Sequence, residues 1–398
     1  MNSQTPHRVL NFSAGPSAIP LPVLQKAQAE FLDYKNTGMS IMELSHRSET
    51  FEAIIQKAED DLRELLEIPS NYKVIFMQGG GTGEFAATHL NLMLSKSIVE
   101  KQRKLSEANP GQNKTLKCGY IVSGIWSKKG HQECKRLGGN AHVIVDSKES
   151  LGQSGYYDLP PVSSWDLPKP EETAYVYYCD NETIGGFEMK SDSIYPHIDP
   201  SVPIVCDMSS NILTRKVDIS KFGIIYAGAQ KNLGPSGLTI VIVRDDLLER
   251  KDSINNIPSV LDYKYFVDEG PMPHTPPTFG IYICGLVFEY VKQLGGIPTM
   301  EEMDRKKADL IYNFIDSHSN YFTNPISPSY RSRMNVVFIL NNKSLEKKLI
   351  EEAKDAGIVE IKGHRSVGGF RASLYNAITV DNVQALVDFL SAFCEKHF

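Results

Sequence analysis

Two short apolar runs in the middle of the sequence constrain the fold of this chain most strongly. Residues 204–206 run directly into Asp207, and residues 224–227 are followed, after a few small residues, by Lys231. Apolar runs of this length are typical of buried strands in a sheet. Because the ligands of an open α/β sheet collect at the carboxyl ends of its strands, we expect Asp207 and Lys231 to face one site.

A carboxylate and an amine at the same sheet edge are suited to pyridoxal phosphate. A lysine holds this cofactor as a Schiff base, and an acidic residue pairs with its pyridinium nitrogen. The residues around Gln230 and Lys231 are small, so backbone and ligand can approach closely, and an enclosed lysine has a lowered pKa. Trp126 follows another predicted strand, and its ring could stack on the cofactor or serve only in packing. A solvated ion pair is the alternative interpretation of Asp207 and Lys231.

A glycine-rich loop after the predicted strand at residues 74–77 is a candidate anion site. The loop reads QGGGTG, and we expect a helix to open at Glu84. Free N–H groups and the helix dipole favour an anion at such a turn. Residues 81–86 also match G-x-G-x-x-A, so a nucleotide-binding dehydrogenase is an alternative, but no second strand closes on an acidic residue at the required distance. We favour a single phosphate here; a tight turn without a ligand is the other interpretation.

Histidine–arginine doublets occur twice, far apart in the sequence. The basic residues concerned are His46, Arg47, His364, Arg365 and Arg371. Guanidinium groups bind carboxylates and phosphates through two hydrogen bonds at once. Together with the glycines around the second doublet, these residues indicate a dianionic substrate that carries both a phosphate and a carboxylate. Ordinary surface charge is the alternative interpretation.

Composition excludes several classes of protein. The chain has 398 residues, enough for two domains, and its formal net charge of −6 gives no electrostatic basis for binding nucleic acid or an anionic membrane. No apolar run approaches the roughly 18 residues of a membrane span. The six cysteines have no paired spacing, which predicts buried thiols, a reducing compartment, and neither disulfides nor a zinc site. The first residues carry no secretory or transit signal, so we expect a cytoplasmic protein.

The remaining pattern predicts an α/β chain of two domains. Strands alternate with helices up to a Gly-Gly-Ile-Pro stretch at residues 295–298, which favours a large domain on a mostly parallel sheet. We expect residues 17–298 to form this large domain, and residues 1–16 with 299–398 to form a smaller α+β domain. The polar residues 96–117 are predicted to be an irregular surface excursion.

A series of short segments occurs in order between residue 11 and about residue 390. They are NFSAGP, SHR, QGGGTGEF, SGIWS, CDNETIGG, AGAQKNLGPSGLTIVIVR, HTPPTF, RSRMNVVF and KGHRSVGGFRASLYNA. Each is a weak signal alone, but the ordered set is specific, and the chain resembles the phosphoserine aminotransferase family. This resemblance implies the fold-type I architecture of aspartate aminotransferases, with a seven-stranded sheet, and a homodimer whose active sites lie at the subunit interface.

The resemblance also implies a reaction and a cofactor. The reaction is reversible ping-pong transamination of 3-phosphohydroxypyruvate with L-glutamate, giving O-phospho-L-serine and 2-oxoglutarate in L-serine biosynthesis. The cofactor is pyridoxal 5′-phosphate. These small molecules and a second copy of the chain are the expected partners.

The matching positions imply a role for each candidate residue. Lys231 would be the Schiff-base lysine and general base, and Asp207 would pair with the pyridinium nitrogen. The other cofactor contacts would come from Gly81, Thr82, Trp126, Thr183 and Gln230 and, on the neighbouring subunit's cofactor, from His274 and Thr275. Arg371 would bind the substrate carboxylate, and the substrate phosphate would lie near His46, Arg47, His364 and Arg365. No metal is expected.

Two positions depart from the family pattern. His274 stands where the family usually has Asn, and Glu84 replaces the commoner Gln. We expect the Glu84 carboxylate to face away from the bound phosphate, since like charges repel. A catalytically silent binding protein and another small-substrate aminotransferase are further alternatives, and a cysteine desulfurase is less favoured because no exposed catalytic cysteine loop is evident.

Overall fold

The fold is built from short strands and longer helices that alternate along most of the chain. The computed structural model describes residues 7–189, 192, 194–250, 256–270 and 272–398. Its strands are β1 (Leu10–Asn11), β2 (Tyr72–Met77), β3 (Lys117–Val122), β4 (Asn140–Asp146), β5 (Thr173–Cys179), β6 (Asn181–Glu182), β7 (Phe187–Glu188), β8 (Ile204–Asp207), β9 (Ile224–Gly228), β10 (Thr239–Arg244), β11 (Phe322–Thr323), β12 (Asn335–Leu340), β13 (Ile358–Val359) and β14 (Phe370–Ser373). Its α-helices are α1 (Leu21–Ala29), α2 (Glu49–Leu66), α3 (Gly80–Leu94), α4 (Lys96–Ala108), α5 (Ile125–Arg136), α6 (Ser147–Ser150), α7 (Tyr263–Asp268), α8 (Thr278–Gln293), α9 (Gly296–Ser317), α10 (Glu346–Asp355) and α11 (Val380–His397).

A seven-stranded sheet carries the site. Its spatial order is β2, β10, β9, β8, β5, β3, β4. Neighbours from β9 to β4 are parallel, whereas β10 is antiparallel to both β9 and β2. Strands β5, β8 and β9 are buried at every residue, as expected of central strands with both faces covered. The predicted seven-stranded, mostly parallel sheet is therefore confirmed.

The two faces of this sheet belong to two apolar clusters. In β8, Ile204 and Cys206 pack in a cluster with residues of α2 and α8, while Val205 between them packs in another cluster with residues of α3 and α7. Successive side chains of a strand point to opposite faces, so a continuous apolar run supplies both layers of helices. Packing between these two layers of helices holds the carboxyl ends of the strands in place. None of the described helices is long and apolar enough to cross a membrane.

A third apolar cluster contains Phe12 together with residues from Ala308 to Cys394. It surrounds a three-stranded sheet, β11-β12-β14, and β1 pairs in parallel with β13. The last helix, α11, is capped by Thr379, whose hydroxyl accepts a hydrogen bond from the Asn382 N–H at 3.2 Å. The predicted division into residues 17–298 and a small domain remains a prediction, and residues 1–6 of that small domain lie outside the described residues.

The expected irregular excursion at residues 96–117 is wrong in its first half, which forms α4. Ile98 and Leu105 are seven positions apart, lie on the same helical face and are buried. The Lys101 ammonium donates hydrogen bonds to the carbonyl oxygens of Pro170 and Thr173, at 3.2 and 3.1 Å. The polar composition of this segment therefore belongs to a solvated helix, and its few apolar residues anchor it.

Candidate active site

A cavity of about 330 Å³ lies at the carboxyl ends of β5 and β8 and just beyond β9. The predicted site residues that line it are Gly81, Thr82, Trp126, Thr183, Asp207, Gln230, Lys231, His364 and Arg371. The predicted residues that do not line it are His46, Arg47, His274, Thr275 and Arg365. The structure thus gathers the first set around one space, at the sheet edge where the strand pattern predicted a site.

Lys231 is held in the cavity from its backbone. The Ser17 hydroxyl donates a hydrogen bond to the Lys231 carbonyl at 2.6 Å, and the Ser17 N–H donates to the Gln230 carbonyl at 2.9 Å. The Lys231 Nζ lies 5.9 Å from the centre of the Trp126 ring. Burial lowers the pKa of the Lys231 amine, and the nearby charge of Asp207 opposes this shift only in part. The expected lowering of the lysine pKa is confirmed, and it favours the neutral, nucleophilic amine.

Asp207 is a buried carboxylate with ordered partners. The Ser209 N–H donates to Oδ1 at 2.9 Å, and the Tyr226 hydroxyl lies 3.2 Å from Oδ2. The Tyr226 hydroxyl is itself 2.9 Å from that of Tyr177. A Cβ built on Gly81 would lie 3.8 Å from Asp207 Oδ2, so the glycine loop lies directly against this carboxylate. Tyr226 was not predicted as a site residue, since it lies inside an apolar run.

The glycine loop is itself the first turn of α3. Gly79 caps the helix with φ of +116°, a conformation that favours glycine, and the N–H of Gly80 donates to the Thr239 hydroxyl at 2.8 Å. Gly81 and Thr82 follow within the first turn, whose N–H groups have no acceptor inside the helix. The predicted helix start was wrong, because the helix begins within the glycine run rather than after it. The positive end of α3 therefore lies at the cavity and suits an anion.

Glu84 lies in the same turn but does not line the cavity. Its carboxyl group is fully buried, and the Tyr263 hydroxyl contacts Oε2 at 2.6 Å. Burial raises the pKa of Glu84 to about 8, and the charge of Asp207 adds to this shift. At neutral pH this carboxyl group is therefore mostly protonated and uncharged.

Trp126 is fixed by two acceptors at the start of α5. Its indole Nε1–H donates to the Thr183 hydroxyl at 2.9 Å, and its backbone N–H donates to the Glu182 carboxylate at 3.1 Å. Glu182 also accepts from the Ser127 N–H at 2.9 Å and from the Ser127 hydroxyl at 2.7 Å. A Cβ on Gly124 would lie 2.1 Å from Glu182 Cδ, so only glycine admits this buried carboxylate. Sequence reasoning missed Glu182, since its role depends on a helix far along the chain.

Arg371 and His364 form a basic wall of the cavity. One terminal nitrogen of Arg371 donates to the Thr183 carbonyl at 3.0 Å, and its Nε is buried with no hydrogen-bond partner among the described residues. Burial lowers the pKa of both side chains, and the charges of Arg371 and Arg365 lower that of His364 further. A half-buried guanidinium with an unused donor is suited to a carboxylate ligand.

The remaining predicted residues lie elsewhere in this chain. His46 and Arg47 precede α2, and the Arg47 side chain is exposed. The His274 ring packs edge-on against the Phe266 ring, with 5.3 Å between the ring centres, and Thr275 is exposed. Arg365, next to His364, also points into solvent. None of these five side chains lines the cavity of its own chain.

Known proteins resemble this chain over nearly its whole length. The aminotransferase class-V family matches residues 9–106 and 148–386. The phosphoserine aminotransferases of Pseudomonas aeruginosa (strain LESB58) and Azotobacter vinelandii are 48% and 46% identical to it, over 98% of this chain and 99% of theirs.

Solved structures agree with the sequence relatives. The phosphoserine aminotransferase from Bacillus circulans subsp. alkalophilus is 40% identical, with a TM-score of 0.86 over 98% of this chain and 99% of that one. The enzyme from Trichomonas vaginalis, solved with pyridoxal phosphate bound, is 36% identical, with a TM-score of 0.84 over 96% of this chain and 100% of that one. The expected fold-type I architecture is confirmed. The chain belongs to the class-V aminotransferases and, within them, to the phosphoserine aminotransferase family.

Proposed function

We propose that this chain transfers the amino group between L-glutamate and 3-phosphohydroxypyruvate, giving 2-oxoglutarate and O-phospho-L-serine, with pyridoxal 5′-phosphate as its cofactor. One observation carries the proposal: a lysine with a lowered pKa, a buried carboxylate, a helix N-terminus and a half-buried arginine line a single cavity. Relatives that are 40% to 48% identical and are named phosphoserine aminotransferase support the choice of substrates. The reaction belongs to L-serine biosynthesis.

The cavity fits each functional group of the cofactor. The first turn of α3, with Gly81 and Thr82, supplies N–H donors and a positive dipole for a phosphate, and Gln230 lines the same cavity. Asp207 offers a carboxylate to a protonated ring nitrogen, and Trp126 offers an aromatic face to a planar ring. Thr183 brings a hydroxyl group near that ring. The Lys231 amine is the point of covalent attachment to an aldehyde.

The bound cofactor supplies an electron sink for the negative charge that forms at the substrate α-carbon. Lys231 is suited to be the general base, because burial lowers its pKa and so favours the neutral amine that accepts the α-proton. The same Nζ would hold that proton and return it on the cofactor side. The Asp207 carboxylate would keep the ring nitrogen of the cofactor protonated, and the Ser209 N–H and Tyr226 hydroxyl hold that carboxylate in place. The reverse sequence with the second keto acid completes a ping-pong cycle.

Substrate recognition divides between the carboxylate and the phosphate. Every substrate and product carries an α-carboxylate, and Arg371 is the half-buried guanidinium that binds it. His364 lies beside Arg371 on the cavity wall, and Arg365 adds charge nearby, so they form part of the phosphate site. A direct test compares 3-phosphohydroxypyruvate with 3-hydroxypyruvate as amino acceptors from L-glutamate. We expect the phosphorylated acid to be strongly preferred in kcat/KM; equal use of both acids, or no reaction with either, would contradict the proposed substrate.

A second copy of the chain completes the site in this proposal. His46 and Arg47 would reach the substrate phosphate of the partner, and His274 and Thr275 would reach the cofactor phosphate of the partner. These four residues match the family motifs for the active site, but none of them lines the cavity of its own chain. This supports a role for them in the site of a second chain. We also propose a cytoplasmic location, since the six cysteines are free thiols, as reducing compartments maintain them.

Mixing two inactive variants tests this shared site. Lys231→Ala and Arg47→Ala homodimers are each impaired, but a heterodimer of the two contains one intact site, so subunit exchange restores about a quarter of wild-type activity. A mixture of Lys231→Ala with Arg371→Ala is the matched control. Lys231 and Arg371 of a given site come from the same chain. Each site of that heterodimer therefore lacks one of the two residues, and no activity returns. Equal recovery in both mixtures, or in neither, would overturn the proposed arrangement.

A further inference from the structure

A cluster of soft donor atoms lies apart from the cavity residues, on the α3 and α5 side of the sheet. His89 on α3, Cys118 on β3 and Cys134 on α5 are all buried. The Nδ1 atom of His89 lies 3.9 Å from Cys118 Sγ and 3.7 Å from Cys134 Sγ, and all three donor atoms lie within 4.8 Å of one another. Neither the cavity nor the proposed reaction uses any of these three side chains.

A fourth donor lies beside these three. The hydroxyl of Tyr175 on β5 is 3.0 Å from His89 Nδ1 and 3.8 Å from Cys134 Sγ. The Tyr120 hydroxyl is 2.8 Å from that of Tyr175, so it can orient the Tyr175 oxygen. The cluster therefore offers two sulfur atoms, one nitrogen and one oxygen around a common centre.

We propose that this cluster, formed by His89, Cys118, Cys134 and Tyr175, is a structural zinc site. Zinc binds tetrahedrally, with Zn–S near 2.3 Å and Zn–N near 2.1 Å, which separates a sulfur and a nitrogen ligand by about 3.6 Å. The two nitrogen–sulfur distances lie within a few tenths of an ångström of this separation. The ligand atoms therefore stand close to where zinc requires them, before any rearrangement.

The charge balance also favours zinc. Two thiolates, one neutral imidazole and one neutral phenol bind Zn²⁺ with no net charge, and a neutral unit is the least unfavourable ionic group in a buried apolar setting. Each thiol releases its proton to solvent when the ion binds. The two thiolates and the imidazole are ligand types of cysteine–histidine zinc sites, and the Tyr175 oxygen would fill the fourth position.

Close packing around the cluster restricts it to this arrangement. A Cβ built on Gly139 would lie 2.5 Å from Cys134 Sγ and 2.6 Å from His89 Cε1. The glycine therefore lets the turn after α5 close over both side chains. Zinc here would tie α3 and α5 to the sheet, and the first turns of these helices carry the glycine loop and Trp126.

This proposal departs from the expectation of no zinc site, which rested on sequence spacing. The four ligating positions lie on four separate elements, so no short sequence motif reveals them. The sheet order brings them together, because β5 and β3 are neighbours and α3 and α5 cover the same face.

The first experiment uses the wild-type holoenzyme, expressed in zinc-supplemented medium and dialysed against a weak chelator. We expect elemental analysis to find zinc near one equivalent per chain. X-ray absorption at the zinc edge should show two sulfur neighbours at about 2.3 Å together with nitrogen and oxygen neighbours. Zinc far below one equivalent, a shell without sulfur, or a disulfide between Cys118 and Cys134 would each overturn the proposal.

Variants then locate the metal. Cys134→Ser should lose most of the zinc, whereas Cys394→Ser, which alters a buried cysteine outside the cluster, should keep it. A strong chelator should lower the melting temperature of the wild-type protein and of Cys394→Ser but leave that of Cys134→Ser unchanged. Zinc retained at wild-type level in a folded Cys134→Ser protein would contradict the assignment. If Cys134→Ser does not fold, X-ray absorption at the zinc edge of the wild-type protein still decides the proposal.

Discussion

The two halves of the site are built in different ways. The cofactor half, formed by Gly81, Trp126, Thr183, Asp207 and Lys231, lies within one chain, and its side chains are tied to strand ends and helix starts. The anion half consists of the predicted substrate residues His46, Arg47, His364, Arg365 and Arg371. Only His364 and Arg371 of this second group line the cavity. In the proposed assignment, one chain therefore supplies all of the residues for the reaction but only part of those that recognise a dianion.

This difference follows from how each residue is placed. Central strands buried on both faces have little freedom, so a side chain at a strand end is held firmly. The Arg47 side chain is exposed, and in the proposed assignment it binds a substrate only when a second chain lies against it. We therefore expect changes in the cofactor half to affect every substrate, and changes in the loops of the anion half to affect the phosphorylated substrates selectively.

The largest effect is expected at Lys231. Lys231→Ala removes both the attachment point and the general base, so turnover should fall by roughly 10⁴-fold or more. Steady-state assays with saturating cofactor measure this loss. Lys347→Ala, at an exposed lysine, is the matched control and should keep wild-type activity. A Lys231→Ala enzyme with wild-type turnover would refute the assignment of the cofactor half.

A smaller loss is expected at Asp207. Asp207→Asn keeps the shape of the side chain but removes the negative charge that would stabilise a protonated ring nitrogen. We expect kcat to fall on the order of 10²- to 10³-fold, whether L-glutamate or O-phospho-L-serine is the amino donor. Asp218→Asn, a partly exposed carboxylate that caps a short helical turn, is the control. An effect limited to one donor would place Asp207 in substrate recognition instead.

The anion half can be divided by comparing two arginines. Arg371→Lys loses two-point binding of a carboxylate, and we expect kcat/KM to fall about 10- to 100-fold for L-glutamate and O-phospho-L-serine alike. Arg365→Lys should have a smaller effect, confined to the phosphorylated substrates. If Arg365→Lys weakens L-glutamate as much as Arg371→Lys does, the proposed division of roles is wrong.

The smallest effect concerns stability and pH. The pKa of Glu84 is about 8 in the folded protein and near 4.5 when exposed, so folding takes up a proton between these values and stability falls as the pH rises through this range. Glu84→Gln should therefore raise the free energy of unfolding at pH 8 by a few kcal/mol at most, from about 1.4 kcal/mol per pKa unit. Denaturant titrations at pH 5 and pH 8 measure this difference. A gain of equal size at both pH values would contradict the raised pKa.

Part of the site could be predicted because local sequence carries it. Asp207 follows its buried strand, Lys231 lies just beyond the next one, and the glycine loop marks a helix start, so each position follows from its neighbours in sequence. Arg371 was indicated by the density of basic residues and glycines around it. These residues are the ones the cavity brings together.

The rest depends on contacts between distant segments. Glu182 caps α5 from another strand, and Tyr226 supports Asp207 from within an apolar run that looks like core. Helix α4 was missed because its two buried anchors are outnumbered by polar residues. The cluster of His89 and the two cysteines appears only once the sheet order is known. Secondary-structure propensities and short sequence motifs do not predict contacts between residues that are distant in sequence.

The central claim is that Lys231 and Asp207 hold a cofactor that exchanges an amino group. The most direct measurement is the visible absorption spectrum of the purified protein before and after addition of L-glutamate. We predict an absorption band from the Lys231-attached cofactor that disappears with L-glutamate and returns with 2-oxoglutarate. A colourless protein that added pyridoxal phosphate leaves unchanged, or a band that L-glutamate does not affect, would contradict the account.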